Sequence, residues 1–277
     1  MLKSEKMTSK NKTNNYYIID AHAHIYPEKI ALKASQAIGD FYHIEMRYAG
    51  TSEGLLEEGK SAGVDRYLVH SVATTPGQVR SINNFILSEM KKHPEFIGFI
   101  TLNPDMTVED MAIEVDFALE NGFKGVKLHP DFQKFYVDGA RAEKIYKAVD
   151  GRLPILFHAG DKRYGYSKPE RLATVARLHP AQKIICAHFG GYSEWSEIDC
   201  YDGLKNVYFD TSSSLFELSP EKAVNYVRRF GVEKFFFGTD YPMWNAVEEV
   251  ERFLKLDLTE TERKKIFSEN LIEFLHL

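Results

Sequence analysis

The sequence predicts an α/β protein folded as a single (β/α)8 TIM barrel with a long loop insertion after strand 1. Three observations lead there. Short apolar runs recur eight times, residues that start and stop helices fall between them, and the chemistry-bearing side chains gather where the runs end. The runs are YYIIDAHAH, VDRYLVHSV, FIGFITLNP, GFKGVKLHP, LPILFHAGD, KIICAHFGG, NVYFDTSS and EKFFFGTDYP. Several are continuously apolar rather than alternating, as expected of strands covered on both faces of a parallel sheet.

The segments between the runs carry helix punctuation. Ser167 with Glu170 and Thr259 with Glu262 read as capping boxes, in which each side chain satisfies the other residue's backbone N–H. Ser219 before Pro220 reads as an N-cap followed by proline at the first helical position. Met111, Val115 and Ala118 share one helical face, and Gly122 and Gly231 stand where helices should stop. The exception to the rhythm is the stretch from Tyr26 to Gly50, read as a loop that walls the pocket with Phe41, Tyr42 and Tyr48. A doubly wound open sheet is the competing architecture, but no glycine-rich phosphate loop follows the first run.

Composition bounds the rest. With 277 residues, 44% hydrophobic and 27% charged, the chain can bury one large core, expected over residues 16–277 behind a polar, lysine-rich leader at 1–15. A net charge of −5 offers no footprint for nucleic acid. No run approaches the roughly 18 apolar residues of a membrane span, and no apolar signal segment follows the leader. Cys186 and Cys200 are too few for a disulfide framework and suggest reduced thiols, hence a cytoplasmic protein. The expected partner is a small-molecule substrate, and the composition is compatible with a homodimer.

Half of the 10 histidines lie at strand ends. His22 and His24 are two apart on the first strand and so share a face. Lys127 and His129 end the fourth, His158 the fifth, His188 the sixth, Asp210 the seventh and Asp240 the eighth. In this fold the C-terminal strand ends carry the active site. Neutral imidazoles with a carboxylate suit zinc and other divalent first-row metals. Each residue also has a plainer reading. A histidine closing an apolar strand can be a hydrogen-bonded core residue, Asp240 can cap the turn at Tyr241–Pro242, and Asp210 can either orient a histidine or cap the next helix.

DAHAHIYP, GVKLHP, FHAG, AHFGG, FDTS and GTDYP, in this order from about Ile18 to Leu271, make the chain resemble the metal-dependent amidohydrolase superfamily. The closest likeness is to its amidohydrolase-2 branch, which also holds decarboxylases of the aminocarboxymuconate-semialdehyde type. The resemblance implies that His22, His24, His158 and Asp240 ligate one divalent metal, expected to be zinc. It also implies that His188 acts beside the metal as acid/base or electrophile, with Asp240 both ligating and moving a proton. Lys127 and His129 face the same way on the fourth strand. For Lys127 the readings are a carbamylated bridge between two metals, an ion-pair partner or a substrate contact. Arg47 and Arg163 are candidate clamps for a substrate carboxylate.

The expected activity is a metal-dependent hydrolase acting on a small ester, lactone or amide. The alternative is a non-oxidative decarboxylase or hydratase of a small carboxylic acid. The chain is short beside the decarboxylases of that branch, which tips the reading toward the hydrolase. A non-catalytic ligand-binding barrel would require a broken ligand set, and the set reads as complete.

Overall fold

The computed structural model describes residues 16–277, so the 1–15 leader lies outside the described residues. Eight parallel strands pair in chain order: β1 (Ile19–His24), β2 (Arg66–His70), β3 (Phe96–Thr101), β4 (Gly125–Leu128), β5 (Ile155–Phe157), β6 (Ile184–Cys186), β7 (Val207–Asp210) and β8 (Phe235–Phe236). The residues after β8 bring the sheet round to β1. Ala21 N–H donates to Phe237 O, His24 N–H to Tyr241 O, and Asp240 N–H to His22 O, at 2.8, 2.7 and 2.8 Å. All eight predicted runs are strands of one barrel.

Helices α1 (Glu28–Tyr42) and α2 (Ser52–Ala62) join β1 to β2. Then α3 (Val79–Lys92), α4 (Val108–Glu120), α5 (Ala140–Val149) and α6 (Pro169–Leu178) follow β2 to β5 in turn. A 3-10 segment, Trp195–Tyr201, stands between β6 and β7, and α7 (Pro220–Phe230) and α8 (Ala246–Leu254) follow the last two strands. Helical segments over 260–275 finish the chain. The punctuation explains most boundaries. Ser219 accepts from Lys222 N–H ahead of Pro220, Thr259 and Glu262 form the capping box, and Met111, Val115 and Ala118 are buried on α4.

Two expectations fail locally. The Tyr26–Gly50 insertion is not a loop, because Glu28–Tyr42 winds into α1. Its buried Ala31, Ser35 and Gly39 recur every four residues, a helical period that scattered aromatics obscured in the sequence. Ser167 does not cap α6, whose N-cap position is Lys168 and carries no side-chain cap. The Ser167 hydroxyl instead bonds Gly160 O across the loop, at 3.4 Å.

The core has two parts. An outer layer between strands and helices holds most buried apolar residues. An inner cluster of Ile19, Ala21, Leu68, Ile97, Phe99, Leu156, Ile185 and Phe236 packs against Leu271, Phe274 and Leu275 of the C-terminal segment. The polar strand-end side chains lie beyond that inner plug.

Candidate metal centre at the strand ends

The histidine pair reaches the cavity through an irregularity in β1. Asp20 pairs with Tyr67 and Ala23 with Val69, so β1 spends one residue more than β2 over the same length. Such a bulge reverses which side chains point inward. Before it Ile19 and Ala21 belong to the inner cluster; after it Ala23 and Ile25 join the outer layer and His22 and His24 take the inner positions. Asp20 secures the bulge by accepting from His22 N–H, Thr239 N–H and the Thr239 hydroxyl.

Three donor atoms then converge. His22 Nε2 and His24 Nε2 are 3.3 Å apart, and each is 3.4 Å from Asp240 Oδ1. Metal–ligand bonds of about 2.0–2.2 Å in a tetrahedron give ligand–ligand edges of about 3.3–3.6 Å, so the three atoms already span one face of such a site. His188 joins His22 and Asp240, all three offering donor atoms within 4.8 Å of one another. Hydrogen bonds fix the tautomers. His22 Nδ1–H donates to Asp210 Oδ2 at 2.8 Å, and His188 Nδ1–H is held by Ser212 O and Oγ at 3.2 and 3.0 Å. Both Nε2 lone pairs then face the cavity, where Lys127 Nζ and His158 Nδ1 each lie 3.0 Å from one of them.

Electrostatics agree with a cation-binding role. Burial pulls His24, His158 and His188 down to about 3, so each imidazole is neutral at pH 7. Burial alone would raise Asp240, but His22, His24 and His188 more than offset it and hold its carboxyl well below the usual range. Asp210 is depressed likewise, with His22 the main counterweight to burial. His188 and Asp240 also adopt left-handed backbone, φ 61° and 63°. For non-glycine residues that conformation is uncommon and clusters at functional sites. His188 N–H is held there by Asp210 Oδ1 at 3.0 Å.

His158 stands slightly apart. Its Nδ1 is 3.0 Å from His188 Nε2, while its Nε2 faces Asp131 Oδ2 at 3.4 Å. Asp131, His158 and Asp161 form a second group of donor atoms within 4.8 Å. Burial, with Asp161 nearby, pushes Asp131 up to about 8. His129 lies flat between Phe132 and His158, with centroids at 3.7 and 4.1 Å, and its Nε2 meets the Tyr42 hydroxyl at 3.1 Å.

Lys127 is fully buried with Nζ 3.0 Å from His22 Nε2, and burial lowers it to about 8. Among the described residues it is the one lysine or arginine lining the central cavity, with Ile38, Tyr42, Met46, Phe132 and Met243 as the main non-donor walls. That cavity is about 20 Å³ in volume, room for a single ion or water.

The structure does not bring either arginine there. The Arg47 side chain is 70% exposed and reaches Glu248 at 3.4 Å. Arg163 is committed to Asp161 and Phe41 O. Tyr42 and Phe41 do wall the site region, whereas Tyr48 turns away to Asn245.

Sequence reasoning missed Asp131, Ser212 and Ser213, and could not separate pocket lining from packing for His70, whose donor atom lies within 4.8 Å of those of His22 and His24. Ser213 Oγ donates to Asp240 Oδ2 at 2.5 Å. The His70 ring packs against His22 and His24 at 4.9 and 4.4 Å, with neither nitrogen hydrogen-bonded. Asp131 directly follows the GVKLHP run, and this position was its only signal.

The solved structures similar to the chain include a dihydroxybenzoic acid decarboxylase from a Polaromonas species with bound manganese and the inhibitor 2-nitroresorcinol. That match has 18% identity and a TM-score of 0.73, covering 95% of this chain and 97% of that one. A 5-carboxyvanillate decarboxylase from Sphingomonas paucimobilis matches at 17% and 0.73, covering 94% and 99%. A TIM-barrel protein of uncharacterized function from Bordetella bronchiseptica matches at 19% and 0.77, covering 94% and 98%. No curated protein matches the sequence. Among the described residues no helix is long and apolar enough to cross a membrane. A family model described as amidohydrolase matches residues 19–277, nearly all of the chain, and the chain therefore belongs to the amidohydrolase family, in its amidohydrolase-2 branch.

Proposed function

We propose that this enzyme is a metal-dependent lyase that removes carbon dioxide from a small carboxylic acid without an oxidant. The observation that carries it is the donor trio of His22, His24 and Asp240 at ligand spacing, with the buried Lys127 ammonium beside it. The decarboxylase activities of two structurally similar proteins support this over the hydrolase. The argument from chain length falls away, since the similarity spans 97% and 99% of those two decarboxylases.

His22 and His24 through Nε2, His158 through Nδ1 and Asp240 through Oδ1 would hold one divalent ion, manganese or zinc. That ion, when bound, supplies electrophilic pull on a substrate oxygen. The Lys127 ammonium, 3.0 Å from His22 Nε2, adds positive charge that favours an anionic substrate. Ile38, Met46, Phe132 and Met243 keep water from the carboxylate, and a dry surround favours release as neutral carbon dioxide. When the carbon–carboxylate bond breaks, its electron pair stays on the carbon and a proton must take the vacated place. Asp240, ionised, and His188, neutral, can each accept a proton from substrate hydroxyl or solvent and hand it on. Ser213 and Ser212 hold the two groups in place.

The hydrolase reading keeps one observation on its side. Neither arginine lines the cavity, and ester or lactone cleavage needs no carboxylate clamp. The test is to load the protein with manganese or zinc and offer 2,6-dihydroxybenzoate, 5-carboxyvanillate, aryl esters and lactones. Carbon dioxide release matching substrate consumption is expected. Proton release from esters or lactones, with no carbon dioxide from any acid, would overturn the lyase and establish the hydrolase.

A further inference from the structure

A second cavity opens beside the candidate metal centre. It is a groove of about 360 Å³ between α1 and the loops after β2 and β4. On α1 its wall is Ala34, Ala37, Ile38 and Phe41, spaced three, four and seven residues from the first, so one helical face lines it. Val72 and Phe132 form the opposite side. The two alanines leave the space that larger side chains would fill.

The groove adjoins the central cavity, since His24, Ile38 and Phe132 line both. It also holds a buried polar terminus. Asp131 is 3% exposed and lines the groove; its Oδ2 faces His158 Nε2 at 3.4 Å, and its Oδ1 has no hydrogen-bond partner. A buried carboxyl oxygen left without a partner costs free energy until a polar group meets it. An apolar groove that adjoins a candidate ligand and carries such a group in its wall fits one occupant, the body of a substrate whose reacting group sits at His22, His24 and Asp240.

We infer that the groove is the specificity pocket of this enzyme and takes an alkyl or aryl substituent extending from the reacting group, with a substrate hydroxyl or N–H meeting Asp131. The inference rests on the metal-centre reading given above. It does not depend on which bond is cleaved.

Alkyl hydroxamates test it, since the head chelates a divalent ion whatever the reaction and the tail seeks apolar surface. Binding of acetohydroxamate, butanohydroxamate and octanohydroxamate to the manganese-loaded full chain is measured by titration calorimetry. Each buried methylene is worth about threefold to fourfold in affinity, so octanohydroxamate should bind at least about 100-fold tighter than acetohydroxamate. Ala37→Trp, at an exposed helical position, should remove that dependence on chain length. Ala34→Leu should shorten the chain at which affinity stops rising.

Binding of the short hydroxamate with no gain for the long ones would overturn the pocket while leaving the metal centre standing. A gain that persists undiminished in both variants would place the tail elsewhere and overturn it too. Failure of every hydroxamate to bind would count against the metal centre itself, and the pocket would fall with it.

Discussion

The two ends of the barrel interior share one geometry and differ in everything else. On β2 a step of two residues leads from Leu68 to His70, and on β5 the same step leads from Leu156 to His158. Below the step the lumen is filled by Ile97, Phe99, Ile185 and Phe236 and sealed by the C-terminal segment. Above it are imidazoles, an ammonium and carboxylates, all nearly as buried as the apolar plug. Burying apolar area stabilises, whereas burying polar groups costs free energy unless they are paired. Both His70 nitrogens and both Asp131 oxygens lack hydrogen-bond partners. The lower half holds the fold together, and the upper half carries the strain of chemistry.

His22→Ala should break this contrast most sharply. It removes one donor of the convergent trio, and metal affinity should fall by more than about 100-fold, since even partners behind a ligand are worth about 10–100-fold. Elemental analysis checks this; unchanged metal content would remove His22 from the ligand set. The counterpart below is Phe99→Ala. Phe99 is fully buried, and its ring fills the space where Gly125 lacks a Cβ. Stability should drop by about 3–5 kcal/mol with metal stoichiometry intact. Loss of metal from a folded Phe99→Ala protein would show that the two halves are coupled rather than separate.

Asp210→Asn sharpens the division within the upper half. The variant keeps the shape but loses the charge that holds Nδ1–H of His22, so metal affinity should fall by about 10–100-fold. An affinity equal to wild type would make Asp210 a support of the His188 backbone only.

A smaller effect follows from acid. Burial, then His158, holds His129 well below its ordinary value in the folded chain. As pH falls below about 6.5, the unfolded chain takes up a proton that folded His129 refuses, so stability is lost on the acid side and regained on the neutral side. In metal-free protein, His129→Phe keeps the stack on Phe132 and abolishes this penalty. The variant should gain on wild type by up to about 1.4 kcal/mol per pH unit as pH drops from 6.5 toward 4.5, read from urea unfolding. A gap that stays constant with pH would mean His129 titrates normally.

Much of this was legible in the sequence, for physical reasons. Parallel strands buried on both faces leave long apolar runs, and polar side chains survive at their ends only where the chain has a use for them. Hence the eight strands could be read, as could the positions of His22, His24, His158, His188 and Asp240. What failed depends on tertiary contact. The helical period of α1 was hidden because its inner face is built from Ala31, Ser35 and Gly39, which carry little apolar signal. Arg47 looked like an anion clamp, yet its side chain is directed to Glu248 on α8, a partner some two hundred positions away in the chain. Asp131 and Ser213 gave no pattern of their own and gain meaning only beside His158 and Asp240.

The extra residue in β1 acts like a shift of reading frame. Ahead of it the odd-numbered positions look inward, and after it the even-numbered ones do. Forcing β1 into one regular alternation with every residue kept would make the strand more regular and would turn both imidazoles out of the cavity at a stroke. A designer who idealised this barrel would therefore erase its function by correcting its one fault in that strand. Insertions and deletions can drift through the surface connections, whereas any shift of register within β1 resets which of its side chains face the cavity.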